Sequence, residues 1–224
     1  MNILNKIITF FYALIIAISI AVVIILFYIF PQKNWQIRKT WAKFIRKICF
    51  YKIEIIGEFS EDTKMIILNH RSMLDIIALE DVYPKNLCWI AKKQIGDLFF
   101  YGQIIKKPKM ISIDRANARD FVNVIKQAKE RLEDNRVISI FPEGTRNDTY
   151  NLLRFKSGAS KIAEKLNISF QPIVLIGAKE ILDSKKIKIS FFKTLKIIIL
   201  PPTNDIEEAK EMMQKVLNDN TRWL

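Results

Sequence analysis

The chain opens with an unbroken apolar run that is long enough to cross a membrane. Ile7 to Phe30 is 24 residues without a charge, composed mainly of Ile, Phe, Leu, Val and Ala. As a helix it would be about 36 Å long, against roughly 30 Å for a hydrocarbon core. A cleaved signal peptide is the alternative, but its apolar region would span only about 7–15 residues, and the small-x-small site Ser19-x-Ala21 lies mid-run. The run predicts an uncleaved anchor, which either spans the bilayer or dips into one leaflet.

The residues after Pro31 predict a second helix that is both amphipathic and basic. Its apolar residues recur at three- and four-residue spacings, and its bases lie largely on other faces: Trp35, Ile37, Trp41, Phe44, Ile45 and Ile48, with Arg38, Lys39, Lys43, Arg46 and Lys47. This pattern is typical of a helix in the membrane interface, and a core-facing helix with a solvated basic side is the alternative. Bases after the apolar run place the following chain on the cytoplasmic side. We therefore predict a membrane anchor over residues 1–50 and one further domain over 51–224.

The composition limits the possible partners and cofactors. Lys and Arg number 36 against 23 Asp and Glu, a net charge of +13, which implies an anionic partner such as nucleic acid, a phospholipid surface or a phosphorylated substrate. Two cysteines, Cys49 and Cys88, cannot form a disulfide framework or a zinc quartet. His70 is the single histidine, so a two-histidine metal site is excluded.

After Tyr51 the chain alternates short apolar strands with helical segments, which predicts an α/β fold with a largely buried mixed sheet flanked by helices. The predicted strands are Lys52–Gly57, Met65–Leu68, Leu87–Ala91, Met110–Ile113, Val137–Phe141 and Phe170–Ile176, with one or two more in Ile187–Leu200, broken around Lys193 or Thr194. The predicted helices are Ser72–Glu80, Asn117–Glu133, Ser157–Leu166 and Asp205–Asn218.

The single histidine directly follows a predicted strand and precedes a carboxylate by five positions. Within one regular helix, His70 and Asp75 would point about 140° apart, so they meet only if His70 lies in the turn before the helix. Ser72 as helix N-cap would produce that turn. The pair would then be a base with an orienting carboxylate at the carboxyl edge of the sheet, where α/β proteins bind ligands.

Other predicted strands end in charged residues at the same edge. The strand Val137–Phe141 runs into Pro142-Glu143-Gly144-Thr145-Arg146, which combines a carboxylate, a glycine able to take positive φ and a guanidinium suited to phosphate. Lys92 and Lys93 follow another strand, and Asp114-Arg115 follows a third. Each alone is an ordinary solvated loop charge, whereas together they predict a site for hydroxyls and phosphate.

The four blocks Asn69-His70-x4-Asp75, Ile113-Asp114-Arg115, Phe141-Pro142-Glu143-Gly144-Thr145-Arg146 and Gln171-Pro172-Ile173-Val174 together resemble the 1-acylglycerol-3-phosphate acyltransferase family. The resemblance covers roughly residues 53–176 and implies the glycerolipid acyltransferase fold, with residues 51–224 as the catalytic domain. It implies transfer of an acyl group from a thioester, of acyl-CoA or acyl carrier protein, to the 2-hydroxyl of lysophosphatidate. Asn147 departs from the family, where serine is common after the Thr-Arg pair.

The resemblance also implies roles for individual residues. His70 is the general base, and Asp75 holds its tautomer. Arg115 and Arg146 bind the acceptor phosphate, assisted by Lys92 or Lys93, and Glu143 orders the glycerol or Arg146. The segment around Gly144 and Thr145 also contacts substrate, with backbone N–H groups near Gly144 as oxyanion donors. No cofactor and no metal are expected, and the remaining partner is an anionic phospholipid membrane.

Three alternatives remain. The same machinery could act on another acceptor, such as glycerol 3-phosphate, a lyso-ornithine lipid or a lipid A precursor. A membrane-tethered nucleic-acid binder would also explain the charge, but no recognition module or interleaving of bases with aromatic residues is visible, so no nucleic acid is expected. A non-catalytic protein that keeps the fold is the third alternative, against which the His70–Asp75 pair argues.

Overall fold

A computed structural model describes residues 3–114, 117, 119–183, 186 and 188–221 of the chain. The helices are α1 (Ile3–Ile29), α2 (Asn34–Ile48), α3 (Leu74–Val82), α4 (Lys93–Gly96), α5 (Gln103–Lys106), α6 (Asp120–Glu133), α7 (Gly158–Leu166), α8 (Ala178–Ile181) and α9 (Ile206–Thr221). The strands are β1 (Lys52–Ile56), β2 (Met65–Leu68), β3 (Leu87–Lys92), β4 (Ile111–Ile113), β5 (Val137–Ile140), β6 (Phe170–Ile176), β7 (Leu182–Asp183), β8 (Lys188–Ile189) and β9 (Thr194–Ile199).

The first two helices form a hairpin that packs on the rest of the molecule. The residue before Pro31 leaves the helical conformation, as expected from the steric clash with the proline ring, and one 3-10 turn (Pro31–Lys33) reverses the chain. The indole N–H of Trp41 donates to the hydroxyl oxygen of Ser19 at 3.0 Å, which joins α2 to the middle of α1. By length and composition, 9–29 could cross a membrane.

The opposite sides of α1 lie in different surroundings. Ile24 and Phe27 are buried against the protein, whereas a band of large apolar side chains is exposed on the other side: Phe10, Phe11, Leu14, Ile15, Ile18, Val22, Ile25, Tyr28 and Ile29. This exposed band is what a lipid-facing surface requires, and it is the part of the predicted anchor that the fold leaves uncovered.

The second helix is part of the core. Ala42 and Ile45 are fully buried and α2 packs against both α1 and α3, so Ile45 faces the protein, as the core-facing alternative predicted, and not acyl chains. Arg38 is buried as well, and its guanidinium pairs with the carboxylate of Glu80 on α3. Phe44 remains 42% exposed. Because this helix completes the core, 51–224 would lose buried contacts without it.

A seven-stranded mixed sheet, in the order β1-β9-β6-β2-β5-β3-β4, forms the centre of the molecule. Five neighbouring strands from β6 to β4 run parallel, and β9 pairs antiparallel with β6 and parallel with β1. All side chains of β2 and β6 are buried, as the continuous apolar runs predicted. The α/β class with a mixed sheet flanked by helices is confirmed.

The parallel strands place their carboxyl ends at one edge, here called the catalytic edge. β9 is antiparallel to β6, and β1 is parallel to β9. The amino ends of β9 and β1 therefore also lie at this edge. The predicted break near Lys193 is confirmed, since β8 ends at Ile189 and β9 begins at Thr194.

Candidate functional site

His70 and Asp75 meet at the catalytic edge between β2 and α3. The imidazole Nδ1 lies 2.9 Å from Asp75 Oδ2, and the imidazole side chain is 13% exposed while Asp75 is buried. Asp75 Oδ2 also accepts hydrogen bonds from the backbone N–H groups of Arg71 and Ser72, at 2.7 and 2.8 Å. A carboxylate fixed in this way orients the ring and leaves Nε2 as the nitrogen that can face a reactant.

Helix α3 begins two residues later than expected, at Leu74 with Met73 as N-cap. The Ser72 hydroxyl donates to the carbonyl oxygen of Leu182 at 2.6 Å and accepts from the Leu74 N–H at 3.1 Å. Ser72 therefore ties the turn to β7 as well as to the helix start. The prediction that His70 lies in the turn before the helix is unaffected by this shift.

Glu143 lies beneath the His70 turn with both carboxylate oxygens engaged. Oε1 accepts the His70 backbone N–H at 3.2 Å, and Oε2 accepts the Leu153 N–H at 2.9 Å and the Asn147 side-chain amide at 3.1 Å. The side chain is 2% exposed. This placement couples the β5 turn to the catalytic histidine candidate through backbone contacts, and a direct contact of Glu143 with glycerol stays a prediction.

Gly144 adopts φ +73° in the turn after β5 and is buried. Its N–H donates to the Phe141 carbonyl oxygen at 2.9 Å, so it closes the turn. The positive φ accounts for the glycine, because glycine takes the left-handed conformation without steric cost. The Gly144 N–H is therefore engaged within the protein, which removes it from the expected oxyanion donors.

Asn147, to which sequence reasoning assigned no role, connects this turn to His70. Its N–H donates to the His70 carbonyl oxygen at 2.7 Å, and its side-chain amide donates to Glu143 and to the Asn151 carbonyl oxygen at 2.6 Å. Its Oδ1 accepts from the Thr149 N–H at 3.0 Å. The signal available in the sequence was the Asn-Asp-Thr-Tyr-Asn run, a composition in which side chains bond the backbone of turns.

Two aromatic rings support the imidazole from below. The Phe141 ring stacks on His70 with centroids 3.8 Å apart, and Trp89 stacks on Phe141 at 5.3 Å. The indole N–H of Trp89 donates to Glu80 Oε1 at 2.8 Å. The strand order β2-β5-β3 brings these three rings together from residues 70, 141 and 89, and no spacing in the sequence indicated it.

Arg146 and Thr145 are exposed beyond the buried part of the β5 turn. Burial raises the pKa of Tyr101, and the positive charge of Arg146 partly opposes that rise. The Tyr101 hydroxyl is 3.8 Å from the sulfur of Met73, three residues after His70. Arg146 directly precedes Asn147, whose N–H donates to the His70 carbonyl oxygen, so the backbone of Arg146 lies beside the His70 turn, and its binding of phosphate stays a prediction.

The remaining predicted basic residues lie further along the edge. Lys92 and Lys93 are exposed at the end of β3, and Lys93 Nζ lies 3.8 Å from Asp114 Oδ2 after β4. β3 is two strands from β2, or roughly 10 Å at the usual strand spacing, and β4 is one strand further. Arg115 lies outside the described residues.

Comparison with known proteins agrees with this architecture. A family model described as "Acyltransferase" matches residues 47–176. A 1-acyl-sn-glycerol-3-phosphate acyltransferase of Helicobacter pylori is 41% identical over 91% of this chain and 89% of its own length. The human 1-acyl-sn-glycerol-3-phosphate acyltransferase beta is 31% identical over 65% of this chain and 53% of its own. The crystal structure of PlsC from Thermotoga maritima, a 1-acyl-sn-glycerophosphate acyltransferase, superposes with a TM-score of 0.78 over 99% of this chain and 98% of its own, at 18% identity, and so supports the fold.

Proposed function

Because the chain belongs to the acyltransferase family, we propose that it transfers a fatty acyl group from a thioester to the 2-hydroxyl of 1-acylglycerol-3-phosphate, giving phosphatidate. The Helicobacter pylori relative is named as a 1-acyl-sn-glycerol-3-phosphate acyltransferase and matches 91% of this chain. The observation that carries the proposal is the contact of 2.9 Å between His70 Nδ1 and Asp75 Oδ2 at the catalytic edge.

In the proposed reaction, His70 acts as general base. Nε2 takes the proton of the acceptor hydroxyl as its oxygen attacks the thioester carbonyl carbon, and Asp75 stabilises the imidazolium that forms. The tetrahedral intermediate then expels the thiolate, which receives the proton back from Nε2 and leaves as a free thiol. The substrate supplies the nucleophilic oxygen, so the protein needs no nucleophilic serine. The two substrates suffice, and we propose no cofactor.

Arg146 is our main candidate for binding the acceptor phosphate. It is exposed and directly precedes Asn147, whose N–H donates to the His70 carbonyl oxygen, and a guanidinium binds phosphate through two parallel hydrogen bonds. Lys92 and Lys93, two strands away, would attract the anionic headgroup over a longer range, and Arg115 keeps the role that the family resemblance implies. Since the Gly144 N–H is engaged, we propose the backbone N–H of the next residue, Thr145, as a donor to the oxyanion.

We propose that the protein works at a membrane, with the exposed apolar band of α1 in lipid and the catalytic edge on the cytoplasmic side. The bases that follow the apolar run support this orientation, because cytoplasmic flanks carry an excess of Lys and Arg. Both substrates and the product include apolar chains, so a site beside an embedded helix would exchange them with lipid directly. The net charge of +13 favours anionic headgroups as neighbours.

The proposal is tested with purified full-length protein in phospholipid vesicles that contain lysophosphatidate and radiolabelled acyl-CoA. We expect labelled phosphatidate, or phosphatidate with acyl carrier protein as donor if acyl-CoA is not used. Parallel reactions offer glycerol 3-phosphate or a lyso-ornithine lipid as acceptor. Acylation of one of these with no acylation of lysophosphatidate would contradict the proposed acceptor, and no transfer from either donor to any acceptor would contradict the proposed chemistry.

A further inference from the structure

An aromatic cluster at the catalytic edge, formed by Phe50, Phe191 and Phe192, has no role in the proposed chemistry. Phe192 is 82% exposed and Phe50 is 53% exposed, and their rings lie 5.5 Å apart. The Phe192 N–H donates to the Phe50 carbonyl oxygen at 3.0 Å, which links the end of the helical hairpin to the segment before β9. A contiguous patch of exposed aromatic side chains is typical of an interaction surface.

The backbone holds both exposed rings in an uncommon conformation. Phe50 has φ +48° and Phe192 has φ +56°, in the left-handed region that bulky L-residues rarely adopt. Glycine or asparagine would occupy such positions with less steric cost. Phe50 and Phe192 therefore carry two costs in the folded state, a strained backbone and an apolar side chain exposed to water. A function at this surface accounts for both residues.

The cluster adjoins the anchor helix, and lysines flank its residues in the chain. The ring of Phe191 lies 4.9 Å from that of Tyr12 on α1, whose exposed apolar band begins nearby. Lys47, Lys52 and Lys193 are exposed beside the cluster in the chain, and 184–193 contains four lysines and no acid. Aromatic rings next to lysines are typical of the boundary between acyl chains and anionic headgroups.

The position of the cluster relative to His70 follows from the strand order. Asn69, the residue before His70, exchanges hydrogen bonds with the backbone of Leu175 near the end of β6, at 2.8 and 2.9 Å. The next residue of β6, Ile176, pairs with Lys196 of β9, two residues after Thr194 where that strand begins. The cluster and the His70 turn therefore lie at the same edge of the sheet, separated by two to three strands, or roughly 10–15 Å.

We infer that the cluster of Phe50, Phe191 and Phe192 is a second membrane contact, beside α1 and formed by other segments of the chain, that inserts at the headgroup level of an anionic phospholipid bilayer. With α1 it holds the catalytic domain at two places, which fixes the tilt of the catalytic edge against the lipid surface. The inference rests on the membrane association proposed above, and it adds the residues and the orientation of the contact.

The first experiment reports insertion without requiring catalysis. A Phe192→Cys variant of the full-length protein is labelled with an environment-sensitive fluorophore, and the native Cys49 and Cys88 are both buried, so labelling is selective. The matched control is Ile56→Cys, at the opposite end of β1, where the native side chain is 42% exposed. The protein is reconstituted in vesicles of phosphatidylcholine and phosphatidylglycerol, with nitroxide lipids or aqueous iodide as quenchers.

We expect nitroxide lipids, and not iodide, to quench the label at position 192, and iodide to quench the label at position 56. Equal quenching of both labels by iodide would overturn the inference. Protection of position 192 from both quenchers would show that protein, and not lipid, covers the cluster, and would overturn the inference as well. None of these outcomes depends on acyl transfer, so the inference and the proposed function fail separately.

A kinetic experiment tests the consequence for substrate access. The double variant Phe50→Asn, Phe192→Asn removes the rings while asparagine tolerates the left-handed conformation. We expect a severalfold lower kcat/KM for long-chain lysophosphatidate in vesicles, with no change for a short-chain lysophosphatidate that is monomeric in water. The control Ile55→Thr, Ile56→Thr removes exposed apolar surface at the opposite edge and should change neither value. Equal losses on both substrates would contradict a role in membrane contact.

Discussion

At the scale of single residues, the imidazole of His70 is held by its ring and by its backbone. Asp75 orients Nδ1, Phe141 supports the ring face, and Glu143 and Asn147 hold the backbone N–H and carbonyl of the turn. A base held in this way is pre-organised, so little reorientation is needed when the acceptor hydroxyl binds.

Replacing His70 by alanine should abolish catalysis by the base and leave the fold intact. We expect a loss in kcat of about 10²–10⁴-fold, the usual contribution of general base catalysis. Asp75→Ala should lose similar activity and, in addition, stability, since the N–H groups of Arg71 and Ser72 lose their acceptor. An unpaired buried donor costs about 1–3 kcal/mol, which would lower Tm by several degrees. Steady-state rates and thermal melting check both, and near-wild-type turnover of His70→Ala would contradict the assignment.

Asn147→Ala should lower kcat severalfold, because Glu143 Oε2 keeps only the Leu153 N–H as donor and the turn whose backbone holds the His70 carbonyl oxygen loses its side-chain hydrogen bonds. Each hydrogen bond lost is worth about 0.5–1.5 kcal/mol. The matched control is Asn151→Ala in the same loop, since Asn151 contributes its backbone carbonyl to Asn147 and its side chain is exposed. If the two variants show the same kcat and Tm, Asn147 does not support the site.

Arg146→Lys should raise the KM for lysophosphatidate more than the KM for the acyl donor. Lysine keeps the charge but cannot reproduce the two parallel hydrogen bonds of a guanidinium. Losing one charged hydrogen bond, about 1.5–3 kcal/mol, corresponds to roughly ten- to hundredfold in kcat/KM. Kinetics with each substrate varied in turn check this, and an effect confined to the donor would move Arg146 to the thioester side.

At the scale of elements, α1 and α2 differ in what they contact although they form one hairpin. The exposed band of α1 is uncovered, whereas α2 lies between α1 and α3 with Ala42 and Ile45 in the core. A truncation that starts near Glu54 would remove α2 and expose this core, so it tests folding and membrane attachment together.

Substitutions on the outer band of α1 separate these two effects. The triple variant Leu14→Gln, Ile18→Gln, Val22→Gln changes three exposed residues spaced one turn apart. We expect alkaline carbonate to release this variant from membranes while the wild type stays bound. Insertion of α1 into lipid would then remove three polar glutamine side chains from water, and the remaining apolar residues would not offset that cost. Ile24→Asn, on the buried side, should instead lower Tm. Retention of the triple variant in the membrane fraction would contradict attachment through this band.

At the scale of the whole molecule, buried polar contacts connect the anchor hairpin to the site. Arg38 of α2 pairs with Glu80 of α3, and Glu80 accepts the indole N–H of Trp89. Trp89 stacks on Phe141, which stacks on His70. The Arg38 guanidinium also donates to Asn86 Oδ1 at 2.5 Å. The hairpin is thus joined to the catalytic edge through packed side chains, and its removal would disturb the support of the imidazole.

Glu80→Ala should destabilise the protein strongly, because it leaves Arg38 buried without its carboxylate. Breaking a buried pair costs about 3–5 kcal/mol, or roughly 6–20 °C in Tm for a chain of this size. The control is Asp134→Ala, which removes a surface contact of 3.5 Å to Arg131 with the carboxylate 61% exposed and should cost at most about 1 kcal/mol. Equal melting temperatures for both variants would contradict a structural role of the buried pair.

The sequence by itself determined the features that depend on local pattern. The apolar run, the alternation of strands and helices, and the break before β9 follow from composition and periodicity. The convergence of His70, Glu143, Lys92 and Asp114 on one edge also followed, since parallel strands end on the same side whatever their order.

The tertiary structure alone decided which of these residues touch. The order β2-β5-β3 places Trp89 under Phe141 and Phe141 under His70, and it joins Glu143 to a backbone N–H 73 residues away. The burial of α2 against α3 and the exposure of Phe50 and Phe192 were decided there as well. Strand order results from the packing of the whole core, where many registers share the same apolar pattern, and so no local segment specifies it.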